Sequence, residues 1–221
     1  GARILRMDLD TTSKKGGHQA ILSAFADHQA DILIGTQMIV KGHDFPAVTL
    51  VGILAADLSL YAPDYRCGEK TFQLLTQAAG RAGRDEKPGQ VVIQSYSPEH
   101  YCIQTAAAQD YDAFYAREME YRRLLHYPPA CVMMTLLIGS EREEAAGAAM
   151  ERAAAEAKAF SEAELIGPVN APVYKLNDIY RKILYMKSEN YDILIKIRDQ
   201  VEQVLEGSGL SRSVSTQFDI L

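Results

Sequence analysis

The chain has 221 residues, enough for one large or two small domains, and carries 48% hydrophobic and 24% charged residues, an ordinary globular balance. Its formal net charge of −6 excludes a protein that coats nucleic acid through bulk positive charge, although a motor gripping a few phosphates in a groove stays open. The apolar runs fall far short of the roughly 18 residues a membrane-spanning helix needs, so no membrane partner is expected, and no secretory signal stands at the N-terminus. The chain opens abruptly on the strand-like run Arg3–Met7 behind a Gly1 that reads as a cloning scar, so an excised piece of a longer protein is expected.

The first half alternates strand and helix signals. Ile4–Met7 reads as a strand. Gly17–His28 carries Ile21, Leu22 and Phe25 at helical spacing, with Ser13 or Gly16 near its start. Asp31–Gly35 is a second strand. Val48–Leu54 is a third, continuous and β-branched, as expected where both sheet faces are covered. Glu69–Ala82 predicts a helix with Phe72, Leu75 and Ala79 on one face, and Gln90–Ser95 a fourth strand. This rhythm implies a parallel α/β sheet, in which the loops after strand C-termini carry ligands.

The second half opens with a helix over Asp110–His126, stopped by Pro128-Pro129. Cys131–Ile138 follows as an apolar strand, and Glu141–Phe160, rich in Ala, Glu and Arg, as a helix. Gly167-Pro168 and Ala171-Pro172 predict a stiff loop. Ile179–Lys187 is a strand, Asp192–Leu205 an amphipathic helix and Val214–Leu221 a closing strand. This β-α-loop-β-α-β order suits a small α+β sandwich of ferredoxin-like or ribosomal-protein-like type. The expected domains are 1–107 and 108–221, joined rigidly through a helix at about 110–126. The three cysteines, Cys67, Cys102 and Cys131, are far apart and contain no C-x-x-C pair. They read as packed or half-exposed thiols in a reducing cytoplasm, and no metal site is expected.

The strongest chemical signal is Gln77-Ala78-Ala79-Gly80-Arg81-Ala82-Gly83-Arg84. Residues three and four apart share a helix face, so Gln77, Arg81 and Arg84 are expected to point together into one cleft. Gly80 and Gly83 allow another backbone to approach. Guanidinium groups are fixed, forked cations suited to charge on a transferring phosphoryl group, where an arginine finger is worth on the order of 10³–10⁵ in rate. The bland alternative is a helix end with two dipole-favourable arginines.

A second signal, Gly35-Thr36-Gln37 followed by Lys41-Gly42-His43-Asp44-Phe45-Pro46, comes directly after a strand, where a functional α/β loop belongs. Its alternative is a polar loop punctuated by Gly and Pro, with His43 a loop residue rather than a metal ligand. A third, Arg6-Met7-Asp8 leading to Asp10-Thr11-Thr12, could hold phosphates through hydroxyls and amides, or could be an ordinary Asx/Thr turn.

The first two segments resemble motifs VI and V of superfamily 2 helicases. RMDLDTT, ILIGTQMIVKGHDFPAVTLVGILAAD, APDYRCGEKTFQLLTQAAGRAGR and PGQVVIQSYSPEHY together resemble the primosomal protein N′ family of replication-restart helicases. YRRLLHYPP and GPVNAPVYKLNDIYRKILYMK are similar to that family's C-terminal domain, so the likeness runs along essentially the whole chain. Cys67 stands where a small residue is usual and Lys70 where Arg is common.

The resemblance implies a RecA-like second motor lobe followed by the C-terminal domain of an ATP-driven 3′-to-5′ DNA helicase. Such a protein acts in the cytoplasm at replication forks and reloads the replisome. It implies that Arg84, Arg81 and Gln77 serve ATP hydrolysis, and that Gly42, Asp44 and Gly80 line the nucleotide site. Thr12, Thr36, Gln37 and Lys41 would hold DNA in the lobe. Tyr180, Arg181 and Lys182 are candidates for a DNA contact in the tail, although tyrosines at strand spacing also serve as packing. The implied partners are forked and single-stranded DNA, the tail of single-stranded DNA-binding protein and other primosome proteins. ATP and Mg²⁺ would be cofactors of the full-length protein, and zinc would belong to a cysteine-rich segment not in this sequence. No G-x-x-x-x-G-K-[ST] and no DEAH run occur here, so this chain alone is expected to bind no cofactor and hydrolyse no ATP. The residues also fit two other readings: a nonenzymatic docking module for DNA or replisome proteins, and another superfamily 2 helicase.

Overall fold

The computed structural model describes residues 1–12, 16–39, 45–83 and 88–221. It falls into two compact units, Gly1–Arg117 and Glu118–Leu221.

In the first unit, β1 (Ile4–Met7) pairs in parallel with β2 (Ile32–Gly35), and β3 (Leu50–Ile53) with β4 (Gln90–Ile93). The turn α1 (Leu9–Thr12) and the helix α2 (Gly17–Ala26) lie between β1 and β2, whereas α3 (Cys67–Ala79) lies between β3 and β4. Helix α4 (Tyr101–Ala108) follows β4, and α5 (Tyr111–Leu124) begins in this unit. The core forms on one side of β3 and β4. Ile53 and Ile93 pack there against Phe72 and Leu75 of α3, Cys102, Ile103 and Ala106 of α4, and Phe114 of α5. The rings of Phe72 and Phe114 stack with centroids 4.2 Å apart.

Among the described residues, the expectation that both faces of β3 are covered does not hold, and β1 and β2 show the same one-sided exposure. Successive strand residues point to opposite faces. Ile4, Ile32 and Ile34 share one face of the first pair and are exposed, as are Leu50 and Val92 on one face of the second. A continuous apolar run thus records strand propensity here without two-sided burial, because α3 and α4 supply packing to one face only among the described residues. Helix α4 was not foreseen. Its N-cap is His100, whose ring nitrogen accepts from the Cys102 amide at 3.2 Å, in place of the usual Ser, Thr, Asp or Asn.

Helix α5 starts at an Asx cap, where Asp110 Oδ1 accepts from the Ala113 amide at 2.9 Å. It places Arg122 and Arg123 in its last turn, where cations suit the helix dipole.

The second unit runs β5 (Val132–Ser140), α6 (Glu143–Ala157), β6 (Glu164–Leu176), β7 (Ile179–Ser188), α7 (Tyr191–Gly207) and β8 (Ser215–Ile220). The antiparallel sheet has the order β6-β7-β5-β8. Met134, Leu136 and Ile138 of β5 and Leu184 and Met186 of β7 face the two helices. They pack on Ala146, Ala149, Met150 and Ala153 of α6 and on Leu194, Ile197 and Val201 of α7. The alanine stripe lets α6 approach the sheet closely. Asn190 caps α7, accepting from the Asp192 amide at 2.9 Å.

The stiff loop expected at Gly167–Pro172 is instead the interior of β6, giving one strand more than the sequence predicts. An edge strand tolerates proline because one row of its backbone groups needs no partner. The register with β7 shifts between Ile166 and Val169 and again between Asn170 and Lys175, around Pro168 and Pro172. The β6–β7 turn places Asn177 at φ 50° and Asp178 at φ 63°, the left-handed pair that tight hairpins favour.

Candidate nucleotide and nucleic-acid site

Gly35 ends β2 where a side chain would not fit. A β-carbon there would overlap the Met7 carbonyl oxygen and lie 2.6 Å from Ile39 Cδ1. Thr36 and Gln37 follow, both exposed, with the Ile39 amide donating to Thr36 O at 3.1 Å. Lys41, Gly42 and Asp44 lie outside the described residues. The segment is picked up again at Phe45, whose ring meets Phe25 of α2 edge-on at 5.0 Å. The Val48 amide donates to Phe45 O at 3.0 Å, and the chain enters β3.

The glycine-arginine segment arrives at the same place. Helix α3 ends at Ala79, earlier than the predicted Ala82, with Gly80 as its C-cap. The next amides reach back three residues, Arg81 to Ala78 O at 3.1 Å and Ala82 to Ala79 O at 3.3 Å, so the chain has left the α-helix. Gln77 and Arg81 are therefore not placed on one helix face, because α3 ends between them. Gln77 is exposed on the helix, and Arg81 sits half-buried in the turn beyond it. Arg84 lies outside the described residues. Gly83, at φ 73°, donates its amide to Val48 O at 3.2 Å, and Gln90 donates to Thr49 O at 2.8 Å. Backbone bonds thus join the glycine-arginine turn to the exit of the Gly35–Pro46 segment. Among the described residues, a β-carbon on Gly80 would meet carbonyl oxygens of its own helix, at 3.4 and 3.6 Å.

Thr12 has a local role in α1. Its hydroxyl donates to Asp8 O at 2.6 Å, while the Asp8 carboxylate and the Thr11 hydroxyl each accept from the other residue's amide. The Thr11 amide holds the Asp8 carboxyl below the usual carboxylate range.

In the tail, strand alternation separates the three neighbouring candidates. Tyr180 and Lys182 lie on the helix-side face with Leu184, and Arg181 lies on the opposite face. Lys182 Nζ donates to Glu143 Oε1 at 3.1 Å and to Asn170 Oδ1 at 2.6 Å, and lies 5.6 Å from the Tyr174 ring centroid. Lys175 sits 4.7 Å over the Tyr180 ring, and the two tyrosine rings meet edge-on at 5.6 Å. The hydrogen bond to Glu143 pushes the Tyr174 phenol up to about 12.

One feature gave no sequence signal. An open cavity of about 380 Å³ is lined by His126, Cys131, Glu164, Lys187 and Asn190, among others. Lys187 is nearly fully buried beside it, donating to Leu125 O at 3.0 Å and lying 4.0 Å over the Tyr127 ring. Lysine on a strand reads as solvent-facing, so only the tertiary fold reveals it.

Comparison with known proteins decides the family. Residues 1–86 match the helicase conserved C-terminal domain, and residues 123–220 match the primosomal protein N C-terminal domain. Replication restart protein PriA of Bacillus subtilis (strain 168) is 46% identical over 203 residues, which cover 91% of this chain and 24% of that protein.

The chain belongs to the PriA family of replication restart proteins.

The PriA of Synechocystis sp. is 39% identical over 93% of the chain and 25% of its own length. That of Chlamydia trachomatis is 37% identical over 99% of the chain and 29% of its own length. The chain thus spans about a quarter of the length of these relatives. Both matched models describe C-terminal domains, so the chain corresponds to the C-terminal part of a PriA protein.

Proposed function

We propose that this chain is the RecA-like second motor lobe and C-terminal domain of an ATP-dependent 3′-to-5′ DNA helicase that reloads the replisome at stalled forks. The observation that carries the reading is the bond from Gly83 to Val48, because it couples the segment proposed to hold DNA to the turn proposed to serve ATP. Arg81 and Arg84, with Gln77, act on the charge that builds during hydrolysis, and Gly42, Asp44 and Gly80 line the nucleotide. ATP supplies the phosphoryl group, and the first motor lobe supplies the cradle and Mg²⁺ ligands. Zinc belongs to the cysteine-rich segment of the longer protein.

Thr12, Thr36, Gln37 and Lys41 hold DNA phosphates. In the C-terminal domain, whose strand order fits a ferredoxin-like or ribosomal-protein-like sandwich, Tyr180, Arg181 and Lys182 contribute to DNA contact. The internal ties of Lys182 leave Arg181 the better-placed of the two cations. The partners are forked and single-stranded DNA, the tail of single-stranded DNA-binding protein and other primosome proteins, in the cytoplasm. The full-length protein should displace a strand from forked DNA only with ATP, and the isolated chain should not. Absence of unwinding by the full-length protein would contradict the reading.

A further inference from the structure

Gly89 lies outside the glycine-arginine segment, and nothing in the function proposed above uses it. A β-carbon on Gly89 would overlap the Gly83 nitrogen and the Ala82 carbonyl carbon, and would lie 2.7 Å from Ala82 Cβ. From the other side, a β-carbon on Gly83 would overlap the Gly89 nitrogen and lie 2.8 Å from Gly89 Cα. The obstructing atoms are mostly backbone, which cannot rotate away as a side chain can. The crossing is flanked by two bonds to consecutive carbonyls at the entrance of β3, Gly83 N to Val48 O and Gln90 N to Thr49 O.

We infer that Gly89 is a positioning residue for ATP hydrolysis, seated against the Ala82–Gly83 peptide so that the Arg81 turn keeps its register against the β3 entrance. The inference rests on the reading that this turn serves ATP. The peptide that Gly89 touches lies one residue beyond Arg81, so displacing it moves the turn that carries Arg81. Gly83 needs its left-handed φ as well as the close approach, whereas Gly89 has the close approach alone. Substitution at Gly89 therefore isolates the contact from the conformation.

The test is Gly89→Ala in the full-length protein, with Gly52→Ala as the control, since among the described residues a β-carbon on Gly52 in β3 meets nothing within 4 Å. The readouts are kcat and KM for ATP at saturating forked DNA, and amide hydrogen exchange. A misplacement of this size is expected to lower kcat on the order of 10²-fold, with KM for ATP changed far less. The Gly83 and Gln90 amides should lose protection in Gly89→Ala, while the Gln94 amide, bonded to Ile53 O, keeps it. Gly52→Ala should match the wild type. An unchanged kcat in Gly89→Ala overturns the inference. So does loss of protection at Gln94 to the same extent, which would make Gly89 a residue of the fold alone. A wild-type protein without ATPase activity would instead overturn the reading on which the inference rests.

Discussion

Arg122 and Glu118 form a buried ion pair one turn apart on α5, Nε to Oε1 at 2.8 Å, with side chains only 9% and 5% exposed. The same guanidinium donates through Nη1 to Pro128 O at 2.9 Å, tying the helix to the proline turn that ends it. Removing one partner leaves a buried charge uncompensated, which costs about 3–5 kcal/mol. Glu118→Ala should therefore lower the stability of the second unit by that order in denaturant unfolding. Replacing both residues with apolar ones of similar volume should cost much less. A loss below about 1 kcal/mol for Glu118→Ala would show the pair to be no stronger than a surface one.

Acid should weaken the loop before α3 through Asp64. Partial burial works against its ionisation. Hydrogen bonds from the Lys70 ammonium, the Arg66 amide and the Arg66 guanidinium outweigh that and hold the carboxyl at about 2. The folded value lies below the unfolded one of about 3.9, so the stabilisation is full above that value and is lost as pH falls through about 2. Asp64→Asn should lower stability at neutral pH and flatten the acid limb of the stability profile. Parallel profiles for mutant and wild type down to pH 2 would contradict this.

The Tyr174 phenol should titrate late. Its bond to Glu143 favours the protonated form, so the folded state holds that proton until about pH 12. The raised value means a contribution present below about 10, the ordinary phenol range, and lost as pH rises through about 12. In an ultraviolet titration, Glu143→Gln should bring one tyrosine back toward the ordinary range without moving the others. A titration curve indistinguishable from wild type would remove Glu143 as the cause.

Thiol reactivity should separate the three cysteines. Cys67 is half-buried, whereas Cys102 and Cys131 are buried. Burial pushes the Cys131 thiol up, and the nearby Lys187 ammonium pulls it only part of the way back. The thiolate is the reacting form, so an alkylating reagent should label Cys67 first and reach the other two on the timescale of unfolding. Equal labelling rates would contradict the placement of Cys131.

The sequence and the fold agree wherever local signals are unopposed. Ile4–Met7 stands where its apolar run places it, and α6 and α7 form where the alanine-rich and amphipathic stretches predict helices. The disagreements have separate physical causes. Gly167, Pro168 and Pro172 carry loop chemistry, and only the edge position of β6 makes them compatible with a strand. The α4 cap is an imidazole nitrogen, which cap preferences do not anticipate. In the candidate site, the spacing of Gln77, Arg81 and Arg84 holds in sequence, but its geometric meaning depends on where α3 stops. Tyr180, Arg181 and Lys182 are adjacent in sequence and divided in space, because adjacency on a strand places neighbours on opposite faces. The crossing of Gly83 and Gly89 joins residues that neither helical nor strand periodicity would pair.

The proposed role of the glycine-arginine turn in ATP hydrolysis makes the ATPase of the full-length protein depend on Arg84. The most direct measurement is the ATPase rate of the full-length protein, stimulated by forked DNA, for wild type and Arg84→Ala. Arg84→Ala should lower kcat on the order of 10³-fold or more, with affinity for forked DNA retained. A variant that hydrolyses ATP at the wild-type rate would contradict it.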